Sequence, residues 1–234
     1  RLVDFNRERN VLRKFFPDKV IDQMLSEPGY EKLYLQPRDV EVGIIFADIS
    51  GYTKMSEQIL ITPERIMKFI NLWSKEVVKR VFPLGACLDK LVGDCIILLF
   101  GPPFYRETPE QIAKTIIEAA EIVNDVTHEV FNMTEFEDIR KHPDYDKFGV
   151  AIGANFCHAV VGLIGPNDDL TAFSSGMNNT ARLQGLAKAN QIFVTKNLYK
   201  LLSPMNFRKL EGPHSAMVKN VEKPLVYYEV SAKG

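Results

Sequence analysis

The chain predicts an α+β fold with a β-α-β-β-α-β core, followed by appended C-terminal strands and a helix. Three observations carry this. Short apolar runs with strand character alternate with two long segments whose apolar residues recur at helical spacing. Two of the strand runs are separated only by Gly93-Asp94, a two-residue hairpin signal. The resulting order of strand, helix, hairpin, helix and strand is the ferredoxin-like plan. That plan serves several unrelated chemistries, so the fold alone does not choose a function.

Each element has a local reason. Residues 1–25 are charged and helical in pattern, with Leu2, Phe5, Leu12, Phe15 and Phe16 on one stripe, Pro17 as a break, and a second stripe at Val20, Ile21, Met24 and Leu25. Residues 26–39 read as a loop punctuated by Pro28-Gly29 and Pro37. The expected division is therefore a linker helix and loop over 1–39 and a domain over 40–234. Val42–Ala47 reads as a buried strand. Pro63–Phe82 reads as a helix, with Pro63 in its first turn and Ile66, Phe69, Ile70, Trp73, Val77 and Val81 on one side. Leu88–Val92 and Cys95–Phe100 are the strands of the hairpin. A second helix spans Thr108–Phe131, and residues 133–148 are polar and irregular. Gly149–Phe156 and Ala159–Ile164 are expected to form another hairpin. Next come a helix at Met177–Ala187, a strand at Ile192–Val194, a helix at Lys196–Leu201, and strands near Phe207–Leu210 and Leu225–Val230.

Composition excludes several classes. With 46% hydrophobic and 25% charged residues, the 234-residue chain has the makeup of a globular domain, not of a disordered one. Lys plus Arg number 29 and Asp plus Glu 30, a balance that argues against holding nucleic acid by bulk charge. The longest apolar run, from Cys95 to about Phe104, contains two prolines and is far short of the ~20 residues a spanning helix needs. No membrane contact by this segment is expected. The missing initiator Met suggests a piece of a longer protein, and there is no apolar leader. Cys87, Cys95 and Cys157 are odd in number and lack metal spacing, so they read as buried free thiols of a reducing compartment. Phosphate loops of the G-x-x-x-x-G-K-[ST] and G-x-G-x-x-G kinds are absent.

Four places can carry chemistry. Asp48 follows a buried strand and Asp94 sits at the hairpin tip; each alone could simply mark a strand end or turn. If the two strands adjoin, both carboxylates meet at one edge of the sheet. Paired oxygen ligands of that kind hold one or two Mg²⁺ ions, which in turn clamp a triphosphate. Lys90 lies inside a short apolar strand and needs either solvent or a polar partner. Asn178 and Arg182 are four apart, hence on one face of the expected helix, with Ser174 or Ser175 available as its cap. An amide beside a guanidinium suits charge developing on a phosphate, although a solvated polar face has the same pattern.

At these residues the chain resembles the catalytic domain of class III adenylyl/guanylyl cyclases, of the bacterial or soluble type, from about Val40 to Val230. Phe46-Ala-Asp-Ile-Ser-Gly-Tyr-Thr53 resembles the first metal-binding segment. Lys90-Leu-Val-Gly-Asp94 resembles the segment with the purine-reading Lys and the second metal Asp. Val160-Val-Gly-Leu-Ile-Gly165 and Leu170–Gly185 follow in the family's order. The resemblance implies two divalent metal ions (Mg²⁺ or Mn²⁺) on Asp48, Asp94 and the carbonyl of Ile49. It implies purine contacts from Lys90 and Thr171, a ribose contact from Asn178, and transition-state stabilisation by Arg182. Lys219, in Val218-Lys-Asn-Val-Glu-Lys-Pro224, is the counterpart of a triphosphate-binding Lys, with Val221 at the second Lys position. Ser174-Ser175 and Met177–Arg182 depart from the family's usual wording while keeping the Asn and Arg in register.

A Lys ammonium donates to adenine N1 and a Thr hydroxyl accepts from its N6 amine, whereas guanine presents N1–H and O6 there. ATP is thus the implied substrate, cyclised to 3′,5′-cyclic AMP and pyrophosphate. A head-to-tail homodimer is implied, with the metal carboxylates from one subunit, Asn178 and Arg182 from the other, and Lys90 and Thr171 joining across the interface from partner chains. Other implied features are an upstream sensor domain in a longer parent protein, no nucleic acid partner, and a cytoplasmic location, whether free or as part of a membrane-attached protein. The rival readings are a guanylyl cyclase, a diguanylate cyclase, and a degenerate cyclase-like domain that only dimerises or senses nucleotide.

Overall fold

In the computed structural model, residues 9–218 and 223–231 are described. A short helix α1 (Asp18–Ser26) leads into the long strand β1 (Arg38–Ser50). Helix α2 (Pro63–Val81), the hairpin β2 (Cys87–Val92) and β3 (Cys95–Phe100), and helix α3 (Pro109–Phe131) follow. Strands β4 (Gly149–Ile164) and β5 (Asp169–Phe173) precede α4 (Ser175–Gln184), β6 (Ile192–Thr195) and α5 (Lys196–Leu202). Strands β7 (Leu210–Ala216) and β8 (Leu225–Val230) close the chain. All eight strands join one sheet in the order β2-β3-β1-β4-β6-β8-β7, with β5 paired to the far half of β4. This is the expected α+β plan with its appended C-terminal elements.

The helices begin where their chemistry says they should. Thr62 caps α2 and Pro63 takes its first turn; Thr108 and Gln111 form a reciprocal capping box on α3, with Pro109 next. Both helices pack on one face of the sheet. There Ile45, Ala47 and Ile49 of β1, Ile96 and Leu98 of β3, and Val150 and Ile152 of β4 bury against Phe69, Trp73, Ile116 and Val123. The buried Trp73 indole donates to the Thr127 hydroxyl at 2.9 Å, which donates on to the Val123 carbonyl at 2.7 Å, so these two polar groups are paired inside the core. The alternate residues face the other way, as the pleat requires. Val42, Ile44, Ile97, Leu99 and Val161 meet Phe16, Val20, Ile21 and Met24, so α1 and Phe16 ahead of it share a second core with the sheet.

Two expectations change. The predicted hairpin Gly149–Phe156/Ala159–Ile164 is one continuous strand. β4 runs antiparallel to β1 from Ser50↔Gly149 to Arg38↔Val161 without a break. Cys157-His158 has no turn chemistry, and β1 is long enough to pair the whole run. The reversal falls later, between Ile164 and Asp169, where Gly165 and Asp168 take positive φ. The strand expected at Phe207–Leu210 begins only at Leu210 and extends to Ala216. Its polar residues and Pro213 hid it; at the sheet edge a missing N–H costs no ladder bond. The three cysteines are free, but only Cys87 is fully buried, Cys95 and Cys157 being half-buried. No helix among the described residues is long and apolar enough to cross a membrane.

Candidate active site

Asp48 lies at the end of β1, opposite Cys95 at the start of β3, and Asp94 is in the turn just before. Alternation puts Asp48 on the face away from α2 and α3. Gly93 makes the reversal possible with φ +61 in open space. The two carboxyls meet here. Burial, then the hydrogen bond and charge of Asp48, push the Asp94 carboxyl up to about 7, against the N–H groups of Asp94 itself and Ile49 that bond it. Cys95, beside them, is pushed to about 12 by burial and by both carboxylates, so its thiol stays protonated and unreactive. Sequence reasoning missed Tyr52, the first residue of the helical turn after Gly51. Its phenol pKa is raised by burial and by the charge of Asp94.

Two carboxyls forced together, with Asp94 made harder to ionise by its neighbour, want a cation between them. No cluster of three or more His, Cys, Asp or Glu side chains suited to a metal exists among the described residues. A pair of carboxylates is nevertheless a donor set that Mg²⁺ commonly takes, completed by substrate phosphates. The backbone of Ile49 reaches the pair through its N–H.

This pair gives a prediction. Because the folded Asp94 pKa exceeds its unfolded value, the native state binds the extra proton between pH ~4 and ~7, and metal-free stability falls as pH rises through that window. Solvent screening at this half-exposed position leaves on the order of 1–2 kcal/mol. Asp94→Asn should therefore raise the metal-free melting temperature at pH 8 by about 2–6 °C. It should also abolish any stabilisation expected from Mg²⁺ or Mn²⁺ in the wild type; scanning calorimetry with and without metal reads both.

Lys90 and Thr171 form a second group. Lys90 projects outward from the edge strand β2, and Thr171 is on β5, opposite Gly162 of β4. The resemblance implied that these two join from partner chains. Here β2 and β5 lie near one another in one chain, and the Thr171 hydroxyl is close to the carboxyl of Asp89, next to Lys90, without a formed hydrogen bond to it. Asp89 is a residue the sequence reading passed over. It is buried, yet its neighbour Lys90 is exposed, because the register slips between Leu88 and Lys90.

Asn178 and Arg182 share a face of α4, capped by the Ser174 hydroxyl, which accepts from the Met177 N–H at 3.1 Å. Asn178 is exposed, and the Arg182 guanidinium donates to the Asn179 amide oxygen at 3.1 Å. Two features seat this helix on β4. A side chain at Gly153 would meet the backbone at Gln184 N and Thr180 O at 2.6 and 2.7 Å. The buried Asn155 amide donates to the Gly176 carbonyl at 3.3 Å and accepts from the Thr195 hydroxyl at 2.6 Å. Among the described residues, no hydrogen bond or ion pair joins Asn178 or Arg182 to Asp48 or Asp94. The surface flanking these groups is apolar: Leu91 and Val92 stand between Lys90 and Asp94, and Phe173, 72% exposed, pairs across β5/β4 with the exposed Val160. Lys219 lies outside the described residues.

Comparison with known proteins identifies the family and the fold. Residues 34–230 match the family described as the adenylate and guanylate cyclase catalytic domain. An adenylate cyclase of Anabaena cylindrica is 26% identical over 98% of this chain, which spans 45% of that protein's length. Guanylate cyclase beta of Plasmodium falciparum is 24% identical over 68% of this chain, which spans 5% of its length. Among solved structures, the adenylyl cyclase CyaB from P. aeruginosa superposes with a TM-score of 0.72 at 21% identity, covering 86% of this chain and 98% of that one. The guanylyl cyclase Cya2 gives 0.72 at 22%, covering 85% and 95%. The chain thus spans half or less of the length of these two curated relatives.

Proposed function

The chain belongs to the adenylate and guanylate cyclase catalytic domain family, and from that premise we propose that it converts ATP to 3′,5′-cyclic AMP and pyrophosphate. The observation that carries the reading is the meeting of Asp48 and Asp94 at one end of the sheet, with Lys90 and Thr171 grouped on the adjacent edge.

The reaction is intramolecular. The ribose 3′-oxygen forms a bond to the α-phosphorus, its proton goes to solvent, and the bond from that phosphorus to the β-bridging oxygen breaks. Divalent cations, when bound, supply positive charge for the 3′-alkoxide and for the departing pyrophosphate. Asp48, Asp94 and the Ile49 carbonyl would hold those cations. Lys90 donates to adenine N1 and Thr171 accepts from the N6 amine. Asn178 orients the ribose. Arg182 places a fixed cation against the charge that builds on the phosphate oxygens. Lys219 is assigned to the triphosphate. Most of the acceleration is positioning and electrostatics.

Within one chain no hydrogen bond or ion pair among the described residues joins Arg182 to the carboxylate pair, and Leu91, Val92, Val160 and Phe173 are exposed apolar side chains on β2, β4 and β5. These features support a head-to-tail homodimer with two equivalent sites, each taking Asp48 and Asp94 from one subunit and Asn178 and Arg182 from the other. An upstream sensor domain in a longer cytoplasmic or membrane-attached parent is part of the same reading. The test is direct: incubate the protein with ATP or GTP and with Mg²⁺ or Mn²⁺, and identify the product by mass. Cyclic AMP from ATP is expected in preference to cyclic GMP from GTP. A linear dinucleotide or cyclic di-GMP would mean a diguanylate cyclase; no product with either metal would mean a regulatory domain.

A further inference from the structure

We propose that Asp89 is a specificity-determining positioning residue: its buried carboxylate accepts a hydrogen bond from the Thr171 hydroxyl and steadies the Lys90 ammonium, so that the two purine contacts together accept adenine and refuse guanine. This rests on the reading of Lys90 and Thr171 as purine contacts, and it adds the residue that decides which way they face.

The placement comes from an irregularity in the hairpin. Leu88 pairs with Leu98 and Lys90 with Ile97, so Asp89 is the extra residue of a β-bulge. The bulge turns its side chain fully out of solvent, at 0% exposure, while the Lys90 side chain keeps 43%. Neither carboxylate oxygen has a well-formed hydrogen bond. The Lys90 ammonium stands 3.9 Å from one of them. A buried carboxylate without a donor is strongly disfavoured. Burial accordingly pushes Asp89 up to about 6, while the Thr171 hydroxyl and Lys90 pull it down and Asp169 adds to the push.

Thr171 is the donor within reach. Its hydroxyl makes one long contact, 3.5 Å to the Ala172 carbonyl, from which it can turn to Asp89 at little loss. A hydroxyl has one proton and two lone pairs, and an ionised carboxylate accepts only. Once its hydrogen is donated to Asp89 in a hydrogen bond, the Thr171 oxygen can face a base only as an acceptor. The adenine N6 amine donates to it. Guanine O6 would set lone pair against lone pair, and guanine N1–H would meet the Lys90 ammonium. Without Asp89 the hydroxyl is free to donate, and guanine O6 becomes an acceptable partner.

The experiment compares kcat/KM for ATP and for GTP in the wild type, Asp89→Leu, Thr171→Val and the double variant. Dimerisation and melting are checked for each. Asp89→Leu leaves the Thr171 hydroxyl no acceptor at this position. It should lower the ATP:GTP ratio about tenfold or more, chiefly through KM for ATP, the scale expected for one misdirected polar contact. In the Thr171→Val background the same change should move the ratio less than about twofold, since Asp89 acts through the hydroxyl. Equal loss on both nucleotides, or effects that multiply in the double variant, would overturn the proposal and leave Asp89 a structural residue. Asp89→Ala, which removes the acceptor with a smaller side chain, is read the same way should the Leu variant not fold. A wild type that prefers GTP, or makes no cyclic nucleotide, overturns the purine reading and this proposal together. A wild type that prefers ATP with an unmoved ratio in Asp89→Leu overturns this proposal alone.

Discussion

Asp48→Ala and Arg182→Ala are each expected to lose cyclase activity by at least about 10²–10³-fold, and to recover about a quarter of wild-type activity when mixed. The loss follows from the roles. Asp48 is half of the carboxyl pair, and Asp94 alone leaves a cation one ligand short. Arg182 supplies a fixed positive charge whose removal is felt mainly in kcat. The recovery follows from the symmetry. At equal mixing about half the dimers are mixed, and each has one site with both defects and one with neither. The measurement is the steady-state rate of cyclic AMP formation after subunit exchange, with exchange followed by an affinity tag on one variant. Confirmed exchange with no recovered activity would sink the shared-site arrangement and place Asp48 and Arg182 in sites of a single chain.

The second large effect concerns the base. Lys90→Glu combined with Thr171→Cys should lower kcat/KM for ATP by about 10²–10⁴-fold. A carboxylate at position 90 opposes the N1 lone pair of adenine, and a thiol is a weak acceptor for its amine. Guanine N1–H and its N2 amine instead find an acceptor. Cyclic GMP formation should fall far less than cyclic AMP formation, and may be compared in one competition assay with both nucleotides present. Cyclic AMP formation that is unchanged in the double variant would remove Lys90 and Thr171 from base recognition.

The elements that bury one clear stripe were legible in the sequence. Pro63–Val81, Cys95–Phe100 and Leu225–Val230 lie within a residue of their expected bounds, because apolar spacing and Pro, Thr or Gly punctuation agreed there. β4 was misread because strand–turn–strand and one long strand have the same local pattern; the choice is made by the partner strand β1, which lies over a hundred residues away. β7 was misplaced because an edge strand need not look apolar. At the site, Asp48 and Asp94 could be found from their positions at a strand end and a hairpin tip. Asp89 could not. A bulge is a mismatch between two strands, and an Asp-Lys pair in an alternating segment reads as one inward and one outward residue with nothing to say which is the odd one. Tyr52 was equally hidden, since its nearness to Asp94 depends on the turn after Gly51.

Gly153 and Gly93 show two different ways in which a codon can be closed to change. At Gly93 there is open space but a left-handed backbone, so Asn, which tolerates that conformation, is the natural alternative. At Gly153 the backbone is unremarkable, but helix α4 lies directly against it, and no side chain of any kind fits without moving the helix. Genetic drift is therefore blocked at Gly153 by a neighbour that carries Asn178 and Arg182, although the glycine itself touches neither. Lineages that retain those two residues inherit the constraint on Gly153 with them.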